Sequence, residues 1–282
     1  MSEVTTTEGS RAKRSGTVLV PIRADTQLAE ARTARRSKIL SSHRKKRIFD
    51  YAVVLSVAPF WLPVLAVCAG LILLLEGRPV FYVSQRQVGR GKLGSILKFR
   101  TMQRNADMIL NRDTVPVVHT VFLNIARDSS VYTPVGRIIE RLALTELPQL
   151  LHVLSGQMSL IGSRPLPKRV MDILRSRHPV TEDRFLTQGG LTGPVQLVGR
   201  DSISDADRLR LEADYCRIAD SDAYRMRLDA WLLLYTVIVV IAPRRLLTPG
   251  EVRNKMYRIV GLTVKSSAIA VFAPLLPLLA MS

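Results

Sequence analysis

A chain of 282 residues with 41 Lys and Arg against 23 Asp and Glu, net charge +18, can bury one sizeable core with arms, and two full domains would be tight. The charge calls for an anionic partner, while the two cysteines, Cys68 and Cys216, point away from a disulfide framework and a Cys-based zinc site. Few aromatics and no helix-turn-helix or RNA-motif signature argue against nucleic acid as that partner.

Residues 1–44 form a basic arm with little to pack, and disorder is the expectation as far as about Ser42. No apolar signal core precedes Tyr51, which predicts an N-terminus kept in the cytoplasm. The arm's Lys and Arg suit anionic membrane lipids, at about 1 kcal/mol for each residue near the surface. Residues 51–75 are almost wholly apolar and carry no charge, about 37 Å as helix against a hydrocarbon core of about 30 Å. Pro59 and Pro63 interrupt this run; each removes a helical hydrogen bond, so a bend is expected near Ala58, with Pro59 at the bend. Basic residues flank both sides, Arg44 to Arg47 before and Arg78, Arg86, Arg90 and Lys92 after. Cations collect on the cytoplasmic side, so a re-entrant anchor over 45–78 satisfies both flanks where a simple span offends one.

Residues 79–245 read as the main domain. Extended segments at 79–82 and 95–99 bracket a turn with Gly89, Gly91 and Gly94. Residues 134–144 place Val135, Ile138, Ile139 and Leu142 at helical spacing with Arg137, Glu140 and Arg141 opposite, an amphipathic helix. Residues 147–154 continue an apolar face to a cap at Ser155-Gly156, and another helix is expected over 205–217. The apolar run 231–242 is too short to span a membrane, and residues 246–282 form a tail with an apolar end broken by Pro274 and Pro277. The fold class expected is α+β and helix-rich: a monotopic membrane protein with a Pro-broken re-entrant helix, interfacial amphipathic helices and little β-structure.

Five stretches, in order, carry a resemblance: Lys46-Arg47-Ile48-Phe49-Asp50; Lys98-Phe99-Arg100-Thr101-Met102; Glu146-Leu147-Pro148-Gln149-Leu150; residues 158–165, reading Met-Ser-Leu-Ile-Gly-Ser-Arg-Pro; and Gly190-Leu191-Thr192-Gly193. Over residues 45–240 the chain resembles the bacterial sugar transferases, the monotopic polyprenyl-phosphate hexose-1-phosphate transferases. The resemblance implies transfer of a hexose 1-phosphate from a nucleotide diphosphate sugar to a polyprenyl phosphate. The reaction would use Mg2+ at the cytoplasmic face of the bacterial inner membrane and begin an exopolysaccharide or other surface glycan, with downstream glycosyltransferases as further partners. It also implies a re-entrant helix broken at Ser-Pro, where this chain has Ala58-Pro59.

The family's chemistry uses an Asp-Glu pair before Leu-Pro-Gln, Asp as nucleophile and Glu as metal ligand; here Thr145 stands before Glu146. A threonine hydroxyl needs a general base where an ionised carboxylate does not, and Glu146 is the nearest candidate. Three routes stay open: Thr145 attacks; Glu146 attacks or displacement is direct; or the chain is a catalytically impaired relative that binds substrate or partner glycosyltransferases. Phosphoryl transfer wants cations around the phosphate oxygens, and the candidates are Lys98, Arg100, Arg164, Arg200 and Arg137. Pro165 holds Arg164 extended and pre-positions its guanidinium.

Overall fold

In a computed structural model the described residues are 22–89, 92–104, 106, 125, 129–198 and 203–262. Two units are distinguished, residues 1–37 and 38–282. In the first, helix α1 (Ile22–Ser56) begins inside the stretch expected to be disordered. Ala24, Leu28, Ala29, Glu30 and Ala31 are good helix formers, which charge and low apolar content do not reveal.

In the second unit α1 buries a polar stripe at four-residue spacing, Ser42, Lys46 and Asp50, followed by Val54. Each polar member is paired. Ser42 Oγ donates to the Ser221 carbonyl, and Lys46 Nζ reaches Asp229 Oδ2 and Tyr215 OH, both at 2.7 Å. Asp50 accepts from Ser159 Oγ at 2.8 Å and from the Leu160 amide at 3.0 Å. The stretch Lys46 to Asp50 therefore joins α1 to the core through buried polar bonds, which cost little only because every partner is present.

The apolar run is not one helix. α1 ends at Ser56, and α2 (Ala58–Leu75) starts after Val57 with Pro59 in its first turn. The break interrupts the backbone ladder, and Trp61 Nε1 donates to the Val54 carbonyl at 3.0 Å in its place. The 18 residues of α2 measure about 27 Å, long and apolar enough to cross a bilayer. Only 17% of it is buried, chiefly through Cys68 and Ile72 against Phe99, Val135 and Ile139. Phe60, Val67, Leu74 and Leu75 are exposed.

Strands β1 (Phe81–Gln87) and β2 (Leu93–Phe99) form an antiparallel hairpin with Tyr82 opposite Lys98. Helix α3 (Pro134–Arg141) is capped by the Thr133 hydroxyl, which accepts from the Gly136 amide at 3.0 Å. A cap of two bonds closes α3: the Leu144 amide donates to the Ile139 carbonyl and the Ala143 amide to the Glu140 carbonyl, with Ala143 left-handed at φ 57°. Glycine normally takes that position, and here an alanine holds it. Leu144 packs against the cluster that contains Ile139, the kind of apolar contact that accompanies this cap.

After a 3-10 turn (Leu147–Gln149) come α4 (Leu150–Leu154) and β3 (Ser159–Ile161), which pairs in parallel with β4 (Gly190–Thr192). A β-carbon at Gly190 would lie 2.0 Å from the Gly162 nitrogen, so these two stretches need glycine because their backbones touch. Helices α5 (Lys168–Arg177), α6 (Asp205–Ala219), α7 (Met226–Ile241) and α8 (Pro249–Val260) complete the unit. The main core gathers Val153, Leu160, Leu197, Leu211, Tyr215 and Leu228. Helix content dominates and β-structure is confined to two short pairs among the described residues, as the composition led one to expect.

Candidate active site

Four of the predicted residues meet where β2, the end of α3 and the segment after β3 converge. Lys98 sits on β2, whose outer edge is tied to the segment after α3 and to α4: the Phe99 amide donates to the Thr145 carbonyl at 3.0 Å and the Leu97 amide to His152 Nε2 at 3.0 Å. Lys98 Nζ donates to Glu146 Oε1 at 2.7 Å. Arg164 grips the same carboxylate with two nitrogens, Nη1 to Oε2 at 3.1 Å and Nη2 to Oε1.

Burial pushes the Glu146 carboxyl up, but the Arg164 guanidinium and the Lys98 ammonium outweigh it and hold the group well below the usual carboxylate range. Glu146 is thus a fixed anion between two cations, poorly suited to take a proton. Burial lowers the Lys98 ammonium, with Glu146 opposing and Arg164 adding to the shift.

Arg164 is positioned by more than the following proline. Its backbone amide donates to Glu212 Oε1 at 3.1 Å, and Arg184 Nη2 donates to its carbonyl at 2.7 Å. Arg184 Nε and Glu212 Oε2 close the frame at 2.6 Å, both side chains only 3% exposed. Neither residue was singled out from sequence, because the pair is separated by 28 positions and carries no local signature.

Thr145 does not turn to Glu146. Its hydroxyl donates to Glu140 Oε2, because the left-handed Ala143 reverses the chain and brings Thr145 back to the last turn of α3. Glu140, read from periodicity as one charge of a polar face, therefore belongs to the site.

Arg100 and Arg137 make no bond to this cluster among the described residues. Arg100 is buried and donates to the carbonyls of Glu76 and Gly77, so it closes the end of α2 and is not offered to a phosphate. Arg137 is exposed on α3, and Arg200 lies outside the described residues, as do Arg90 and most of residues 103–130. No three His, Cys, Asp or Glu side chains come together as a metal cage among the described residues.

Beside this cluster, between α2 and α3, runs an apolar groove of about 410 Å³. Pro63, Val67, Leu71, Ile138, Leu142 and Leu144 line it, and Leu144 is the residue before Thr145. Ile138 and Leu142 are exposed, although they share an amphipathic helix with charged residues.

A half-buried carboxylate held by two cations, two residues from the Leu144 that helps to line an apolar groove, on a helix-rich α+β scaffold, has the features of a transferase acting on anionic groups beside an apolar chain. The chain belongs to the bacterial sugar transferase family, whose profile matches residues 41–243. It is 30% identical over 199 residues to the exopolysaccharide production protein ExoY of Sinorhizobium fredii, covering 69% of this chain and 81% of that one. It is 31% identical over 196 residues to the sugar transferase EpsL of Bacillus subtilis, covering 70% and 87%. The undecaprenyl-phosphate galactose phosphotransferase of Salmonella typhimurium is 31% identical over 188 residues, 63% of this chain but 37% of that longer protein.

Proposed function

We propose that the protein moves a hexose 1-phosphate from a nucleoside diphosphate sugar to a polyprenyl phosphate at the cytoplasmic face of the bacterial inner membrane. The observation that carries this reading is the cluster of Lys98, Arg164 and Glu146 two residues from Leu144, which helps to line the apolar groove. Lys98 and Arg164 bind the diphosphate oxygens; the guanidinium, its backbone fixed by Glu212 and Arg184, offers a preset fork for two oxygens. The groove takes the first isoprenoid units of the acceptor and brings its phosphate toward the same cations.

The break at Val57 and the indole bond that repairs it support a re-entrant anchor, entering and leaving on one face. At the end of α7 the exposed Ile241 and Leu246 flank Arg244 and Arg245, a pattern suited to apolar contact with the leaflet and charge contact with anionic headgroups.

The residues present fit a magnesium ion. Among the described residues Glu146 accepts three donors and keeps one lone pair on Oε2, and Mg2+ binds through one or two carboxylates with phosphates and water supplying the rest. When bound, the ion supplies charge neutralisation for the diphosphate and its leaving group.

Thr145, in place of the family's aspartate, is the one observation favouring a second reading, a binding relative without turnover. Purified full-length protein with Mg2+, polyprenyl phosphate and a panel of radiolabelled nucleotide sugars separates the two. The proposal expects label in the lipid extract, lost in Arg164→Ala; nucleotide-sugar binding without transfer would favour the second reading.

A further inference from the structure

Resting on the transferase reading above, we propose that Glu140, positioned by the Thr145 hydroxyl, is the nucleophile of this chain and carries the sugar phosphate as a covalent carboxyl-phosphate.

Three groups at the site can attack phosphorus, and the geometry ranks them. Glu146 is held on both oxygens by two cations, which makes it a poor nucleophile, and its one remaining lone pair is the one assigned to magnesium. Thr145 could attack with Glu140 as base, but the resulting phosphodiester must later expel an alkoxide. A carboxylate leaves as an anion with an ordinary pKa of about 4.3, so it serves as nucleophile in one half-reaction and leaving group in the next. Glu140 meets that requirement. Among the described residues its carboxylate has one hydrogen-bond donor, Thr145 Oγ1 on Oε2, which leaves Oε1 free. It is part-buried, and its bond to Thr145 ties it to the residue next to Glu146, the carboxylate that Lys98 and Arg164 hold. Thr145 is then a positioning residue: it fixes one oxygen of Glu140 and, being neutral, adds no repulsion toward an anionic substrate.

The steps balance. Glu140 Oε1 forms a bond to the phosphorus bearing the sugar while the bridging bond to the other phosphate breaks, and the nucleoside monophosphate leaves with the electron pair. An oxygen of the polyprenyl phosphate dianion then attacks the same phosphorus, and the pair returns to the Glu140 carboxylate. No net proton transfer is needed, and the total charge is unchanged in each half.

The test uses the full-length protein in detergent with Mg2+ and nucleotide sugar labelled in the phosphate next to the sugar. The arms are with and without polyprenyl phosphate, for wild type, Glu140→Gln, Thr145→Val and Thr145→Ser. The inference expects a sugar-phosphate adduct without acceptor, labile to neutral hydroxylamine and mapping to Glu140 by peptide mass. It should be absent in Glu140→Gln, formed at least tenfold more slowly in Thr145→Val, and restored in Thr145→Ser. A wild-type circular dichroism spectrum and unfolding midpoint for Glu140→Gln show that the variant is folded. A hydroxylamine-stable adduct on Thr145, an adduct on Glu146, or undiminished transfer by Glu140→Gln overturns the inference and leaves the transferase reading standing. No transfer and no adduct from wild type over UDP-glucose, UDP-galactose and their N-acetylated forms overturns both.

Discussion

Replacing Glu146 with Gln keeps the shape of the site and removes the anion that neutralises Lys98 and Arg164, so binding and turnover should move in opposite directions. Two charge-assisted hydrogen bonds of about 2.8 Å set at an angle would put a phosphate oxygen, docked on the far side of either cation, about 5 Å from the carboxylate. At an effective dielectric of about 20 that repulsion is roughly 3 kcal/mol, and salt and water reduce it to ~1.5 kcal/mol. With EDTA present to remove any metal contribution, isothermal titration with UDP should give about tenfold tighter binding to Glu146→Gln than to wild type, while transfer with Mg2+ is lost. The same change exchanges three charge-assisted hydrogen bonds for neutral ones and should cost about 3 kcal/mol of stability. Folding lowers the Glu146 carboxyl, so its contribution is complete above the unfolded value of about 4.3 and lost only as pH falls through the folded one. The stability gap to the variant should therefore be flat from about pH 6 to 8 and close only in strong acid. Weaker UDP binding by the variant in EDTA would refute the electrostatic account of the site.

Burial foremost lowers the Lys98 ammonium, so wild-type activity should fall on the alkaline side before the ordinary lysine range of about 10.4 is reached. In Lys98→Arg the remaining activity should hold to higher pH, as a pH-rate profile will show. Lys46→Met leaves Asp229 fully buried with two tyrosine hydroxyls and no cation, and should cost about 3 kcal/mol or more in detergent unfolding. Adding Asp229→Leu should recover part of that loss, because the uncompensated charge goes with it. Ala143→Gly relieves the left-handed strain at the end of α3 and should raise stability by about 0.5 to 1 kcal/mol, read as a melting temperature about 2 °C higher.

The helices of residues 134–154 and the first strand pair follow from periodicity, caps and glycines, and the cluster of Lys98, Glu146 and Arg164 follows from the order of the motifs; the parallel pairing of β3 with β4 is tertiary and carries no local signal. The partner of Thr145 does not. Ala143 takes the left-handed position without the glycine that announces it, so the reversal that delivers Thr145 to Glu140 leaves no mark in the sequence. Arg100 stands two residues after Lys98, where strand alternation would put both on one face. β2 ends at Phe99, so the alternation stops there and Arg100 reaches the carbonyls of Glu76 and Gly77 instead. The frame of Arg184 and Glu212 depends on contacts that form only when α6 packs on the segment after α5. The buried stripe of α1 was recognisable as a motif, yet its reason, a bond from Lys46 to Asp229 across 183 positions, is tertiary.

The central claim is best tested by following one phosphorus atom. Given a nucleotide sugar labelled in the phosphate next to the sugar, the purified protein with Mg2+ and polyprenyl phosphate should place that label in the lipid extract. It should release one nucleoside monophosphate for each lipid-linked sugar. Label left in the aqueous phase as nucleoside diphosphate, with sugar alone reaching the lipid, would contradict transfer of a sugar 1-phosphate.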